Sequence, residues 1–201
     1  MVRKLLAGIL GGLAFFAWSS LAHVVLPLGQ TGIQEIPNEQ AVVSAMKANI
    51  PTDGFYFFPG YGVPPTATQA EKTAAMQAKA AQHYAGPGGI LIYHPVQSLD
   101  LKPGQLLTEL GTNIIQVLLA VFLLGHTNLG SFVARWRFVT VAGILAAIST
   151  NISYWTFYGF PGNYTLAYIC IVAMGFVVAG VVVAAMVKPA TGVASGKAAG
   201  A

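Results

Sequence analysis

Apolar residues run almost unbroken through four stretches of the chain, approximately 5–27, 106–126, 138–158 and 165–187. Each matches the roughly 20 residues a helix needs to cross a bilayer. Residues 28–105 have a different texture, with short apolar runs separated by prolines, glycines and polar residues. The pattern predicts a mainly α membrane protein, a four-transmembrane-helix bundle with a small α/β extracytoplasmic unit between helices 1 and 2. The expected division is 1–27 for the first helix, 28–105 for the outer unit, 106–187 for helices 2 to 4 and 188–201 for a disordered small-residue tail.

Within the outer unit, "PNEQAVVSAMKANIP" reads as a short helix. Glu39 suits its positive N-terminal end, Val42, Val43, Met46 and Ile50 share a face, and Pro51 ends it. "GFYFFPG" reads as a strand, "YGVPPTAT" as a turn-rich link, 67–84 as an Ala-rich helix and "GGILIYHP" as a second strand. The link between the strands is long enough for the crossover that a parallel pair requires. Were the strands parallel, "PGYG" and His94-Pro95 would follow their carboxyl ends, where open α/β sheets bind ligands. "AGPGGI" at 85–90 precedes a strand, so it reads as a turn and not as a phosphate loop.

Composition strengthens the membrane reading, with 55% hydrophobic residues, 8% charged residues and a mean hydropathy of +0.66. The net charge of +4 is scattered, which argues against nucleic acid as a partner. Arg3, Lys4, Arg135, Arg137, Lys188 and Lys197 all fall on one side of the expected membrane. Glu35, Glu39, Asp53, Glu71, Asp100 and Glu109 fall on the other or at its edge. The excess of Lys and Arg at span ends places both termini in the cytoplasm and 28–105 outside a plasma (cytoplasmic) membrane. "MVRK", the apolar run and "SSLA" also fit a signal peptide cut after Ala22. Apolar residues continue through "HVVLPLG", which favours a retained anchor.

The second span departs from a plain hydrophobic helix. At about 100° per residue, Gln105, Glu109, Thr112, Asn113, Gln116 and Ala120 share one face, and Leu110, Ile114, Leu118, Val121 and Phe122 another. A rise of about 1.5 Å per residue puts Asn113 and Gln116 roughly 10 to 15 Å below the outer end. Asn151 lies at similar depth in the third span, and His23, Tyr154 and Tyr168 at comparable or shallower levels. Such residues face protein or water, not lipid. They serve either as glue bonding across helices or as the lining of an outward-facing pocket. The inner half is apolar, which argues against a channel within one subunit.

Small residues form seams suited to helix packing: Gly8 and Gly12 on the first span, Ala142, Ala146, Ser149 and Ser153 on the third, Ala173, Gly180 and Ala184 on the fourth. Aromatic residues mark the membrane edges: Trp155, Tyr158, Phe160, Tyr164 and Tyr168 outside, Phe132, Trp136 and Phe138 inside. The one cysteine, Cys170, allows neither an intrachain disulfide nor CxxC redox chemistry. His23 and His126 sit at opposite ends of their spans, so they do not suit bis-histidine haem ligation. His83 and His94 lack partners at metal-ligand spacing, and His126 is placed to cap a helix end. No hydrolase, metalloprotease, Walker or dinucleotide motif occurs, and the glycosylation patterns at 151–153 and 163–165 lie in or against the membrane.

With no catalytic constellation, the expected role is an accessory or structural subunit of a larger membrane complex. Its partners would be membrane lipids and other integral membrane subunits, and no cofactor or metal is assigned. The alternative is a binding protein or enzyme for a lipid- or quinone-like molecule. That reading uses Glu109, Asn113, Gln116, Asn151, Tyr154 and His23 as the pocket.

Overall fold

A computed structural model of the chain describes residues 1–80, 85–96 and 100–187. The protein is mainly helical, and the described residues hold four helices long and apolar enough to cross a membrane: α1 (Val2–Val24), α4 (Pro103–Leu124), α5 (Phe132–Tyr158) and α6 (Gly162–Met186). The other described elements are two shorter helices, α2 (Glu39–Asn49) and α3 (Gln69–Ala78), a single 3-10 turn at Leu28–Gln30, and two strands, β1 (Gly54–Phe58) and β2 (Gly89–Tyr93). The chain divides into two compact units. The larger comprises Met1–Ile33, Leu101–Thr156 and the residues from Phe160 on; the smaller comprises Gln34–Asp100 with Phe157–Gly159.

In the larger unit α1 packs against both α4 and α6. Between apolar helices in lipid no hydrophobic effect drives association, so close packing and hydrogen bonds must do it. Gly8 and Gly12 allow this on the α4 side: a Cβ added at Gly12 would lie 2.5 Å from Ile114 Cα, and one at Gly8 would lie 2.3 Å from Leu118 Cδ2. Gly11, between them, faces Val117 and Val183. On the α6 side Phe15 lies over Gly175, while Phe176 fills the notch left by Gly143 of α5. The Phe15 and Phe176 rings meet edge to face, 5.1 Å between centroids. Around them Val117, Val121, Val139, Ala179 and Val183 form the buried core.

Helix α6 also accepts polar ties from two neighbours. Trp18 Nε1 donates to Ile171 O at 2.9 Å and Trp136 Nε1 to Val177 O at 3.1 Å. At its C-terminal end, Arg3 Nε donates to Met186 O and Arg135 Nη2 to Ala184 O at 3.0 Å. Arg135 also reaches Gly130 O at 2.7 Å and Leu129 O at 3.3 Å. Cations at a helix C-terminus complement its dipole and satisfy its last carbonyls. The charges that predicted membrane orientation therefore have a structural task as well.

Within the chain, α5 packs through a face other than its small-residue seam. Its buried residues are Arg135, Val139, Gly143 and Ala147, at four-residue spacing, whereas Ala142 is half-buried and Ala146, Ser149 and Ser153 are exposed. On α6, Gly180 and Ala184 are buried and Ala173 is half-buried. Bulky Phe176 takes its place at Gly143, so the decisive small residue of α5 lies one position along from Ala142.

In the smaller unit the strands pair antiparallel, with Gly54 opposite Tyr93 and Phe58 opposite Gly89. This corrects the parallel arrangement considered from the sequence. The ends of antiparallel strands point opposite ways, so "PGYG" and His94-Pro95 do not share an edge and no carboxyl-end crevice arises. Phe55, Phe57 and Ile92 lie on one face of the pair and are exposed. His83 and the 188–201 tail lie outside the described residues.

Helix α3 begins with a capping box. Glu71 N donates to Thr68 Oγ1 at 3.3 Å, and Thr68 N donates to Glu71 Oε2 at 2.7 Å. The bonds from Thr68 hold the Glu71 carboxyl below the usual carboxylate range. A carboxyl that titrates lower when folded adds stability above its unfolded pKa and loses it as pH falls through the folded one. Hydrogen exchange of the 69–78 segment, corrected for intrinsic rate, should therefore accelerate on acidification. Glu71→Gln should remove most of that pH dependence.

Candidate functional site

The polar stripe of α4 opens onto a cavity of about 860 Å³ within the larger unit, a size common for small-molecule sites. Gln105, Glu109, Asn113 and Gln116 of α4 line it. So do Ser19, Ser20 and His23 of α1, Thr150 and Asn151 of α5, and Tyr168 of α6. Phe15, Phe16, Leu106, Ile171 and Val172 contribute apolar wall. The site is thus amphipathic, with hydrogen-bonding groups from several helices against a hydrocarbon surface.

Local sequence explains how the stripe arises. Pro103 starts α4 at a position where its missing N–H costs nothing. From there the helical repeat carries Glu109, Asn113 and Gln116 to adjacent positions on one side. Val117, Ala120, Val121 and Leu124 continue that helix into the buried core. Of the expected stripe, Thr112 is exposed and Ala120 is buried, and neither lines the cavity.

The hydrogen bonds of these groups are local. Asn113 is only 2% exposed, and its Nδ2 donates to Glu109 Oε1 at 3.2 Å on the same helix. Asn151 Nδ2 donates to Ala147 O at 2.8 Å, again within its own helix. His23 Nδ1 lies 2.8 Å from Ser19 O. A carbonyl only accepts, so that nitrogen carries a proton, and in a neutral imidazole the other ring nitrogen would accept. Among the described residues, none of these side chains hydrogen-bonds to another helix.

No known protein family, curated protein or solved structure matches the chain. The geometry alone carries the functional reading.

Of the six residues proposed from sequence for a ligand site, Glu109, Asn113, Gln116, Asn151 and His23 line the cavity. Tyr154 does not; its ring stacks on Phe160 with centroids 5.4 Å apart. It heads a ladder of aromatic rings that continues from Phe160 to Tyr164 at 5.4 Å, to Tyr168 at 4.5 Å and to His23 at 5.8 Å. Tyr168 is the tyrosine of the ladder that reaches the cavity, next to His23. In the sequence Tyr168 reads both as a polar group near the depth of the stripe and as part of the interfacial belt, because nothing in an aromatic-rich turn distinguishes the ring that turns inward.

The remaining histidine of the spans, His126, lies 2.9 Å from Phe122 O through Nδ1, a bond that occupies a terminal carbonyl of α4. Among the described residues no three His, Cys, Asp or Glu side chains gather as a metal site would require. Cys170 is exposed.

Proposed function

We propose that this is an integral membrane protein that binds the polar end of a membrane-soluble small molecule in the cavity around Glu109, Asn113 and Gln116. The four long helices form a bundle in a plasma membrane, with both chain ends cytoplasmic and residues 28–105 outside. The supporting observation is that Asn113, deep in an apolar helix and 2% exposed, bonds among the described residues only to Glu109 of its own helix. Interhelical glue would spend these amides on neighbouring helices. Here they retain hydrogen-bonding capacity beside a cavity, and unspent capacity in a low-dielectric setting favours an occupant that uses it.

A second reading, the accessory subunit of a larger membrane complex, draws on α5. Ser149 and Ser153 are exposed on that helix, and small polar faces of this kind suit another helix from a neighbouring subunit. Native mass spectrometry after gentle extraction from the membrane distinguishes the readings. Binding predicts an added small-molecule mass that Glu109→Gln removes while the fold persists. Assembly predicts defined protein partners that Ser149→Leu releases and Glu109→Gln leaves in place.

A further inference from the structure

The hydrogen-bonding character of the cavity narrows the chemistry of its occupant, given that the cavity is a binding site as proposed above. Among the described residues, Glu109 is the one carboxylate in the lining, and no Lys or Arg side chain lines it. No ion pair neutralises Glu109 among the described residues. Its carboxylate only accepts hydrogen bonds. The Asn113 and Asn151 amides each commit an N–H to their own helix, so each keeps both lone pairs of its oxygen against a single remaining N–H. A neutral His23, with Nδ1 donating to Ser19 O, likewise offers an acceptor.

We infer that the cavity receives a cationic, hydrogen-bond-donating head, an alkylammonium type of amphiphile, in preference to a quinone or an anionic lipid head. An ammonium supplies donors to Glu109 and the amide oxygens and is attracted by the faces of aromatic rings such as Phe15, Phe16 and Tyr168, which share the lining. A quinone's carbonyl oxygens only accept and would oppose the Glu109 carboxylate. A phosphate would add like charge to it. The apolar tail then lies along the Ile171 and Val172 wall.

The test is ligand-induced thermal stabilisation of the full chain in neutral-lipid nanodiscs. The probes are an alkylammonium, an alkyl alcohol and an alkyl carboxylate sharing one tail, together with a short-tailed benzoquinone. The alkylammonium should bind about tenfold more tightly than the alcohol, the scale of one charge-assisted hydrogen bond. Glu109→Gln should abolish that advantage while leaving the unliganded melting temperature near that of the parent, and Glu109→Asp should keep part of it. Tightest binding by the quinone or the carboxylate would overturn the charge preference and leave the pocket standing. So would an ammonium advantage that survives Glu109→Gln. If no probe binds, the pocket itself is refuted and the inference goes with it.

Discussion

Replacing Gly12 with valine should lower the stability of the purified protein by about 3 kcal/mol, the upper end of what overpacking usually costs. A Cβ at this position would lie 2.5 Å from Ile114 Cα and 2.9 Å from Ile114 N. These are backbone atoms of α4, so no rotamer change relieves the clash, and the two helices must move apart. Separation would take Gly8 away from Leu118 and Gly11 away from Val117, dissolving the seam as a unit. A control is available on α4 itself, because no described residue lies within 4 Å of a Cβ added at Gly111. Gly111→Ala should leave the melting temperature unchanged or slightly raised, as alanine favours helix over glycine. Equal melting of Gly12→Val and the parent, in detergent or nanodiscs, would show that α1 and α4 do not touch through this face.

Arg135→Met should destabilise the protein by about 3 kcal/mol, with the damage centred on the α4–α5 connection. Arg135 is 8% exposed, and its guanidinium donates to Gly130 O, Leu129 O and Ala184 O. Each bond to a charged group contributes roughly 1.5–3 kcal/mol, but removing a buried charge also relieves its desolvation, so the net loss is less than the sum. Arg135→Lys should recover only part of the loss, because one ammonium cannot reproduce the planar fork that spans two carbonyl directions. Hydrogen exchange should accelerate in 125–131 and in the last turn of α6. Protection of the outer half of α4 should change little.

The positions of the four long helices and both strands could be read from the sequence because length and apolar content determine them. The direction of strand pairing could not. Each strand is five residues long, and a run such as "GFYFF" carries no mark of its partner's polarity. The thirty residues between β1 and β2 fit a crossover as well as the antiparallel return that occurs.

The packed face of α5 was hidden for a different reason. In water the buried and exposed faces of a helix differ in polarity, but in a bilayer lipid and core are both apolar, so periodicity loses contrast. Ala142, Ala146, Ser149 and Ser153 stand out in the sequence by size, while Gly143 takes its meaning only from Phe176, a residue far away in the chain. The α4 stripe was legible for the converse reason. Glu109, Asn113 and Gln116 stand out against an apolar background, and their helical spacing brings them together without help from tertiary structure. What they lacked in the sequence was the identity of the facing residues, such as Tyr168 and Phe16, which depends on how α1 and α6 are rotated.

The indole contacts of α6 give the protein an internal optical gauge. Trp18 and Trp136 are fastened to carbonyls of that helix, while Trp155 is 52% exposed. With Trp155 replaced by phenylalanine, all tryptophan fluorescence would come from two rings held against one helix, one from each flanking neighbour. Any event that shifts α6, whether filling of the cavity beside Ile171 or loss of the Arg135 tie, would then change emission without a dye or a label. Pairing that change with Trp18→Phe or Trp136→Phe would tell which side of α6 had moved.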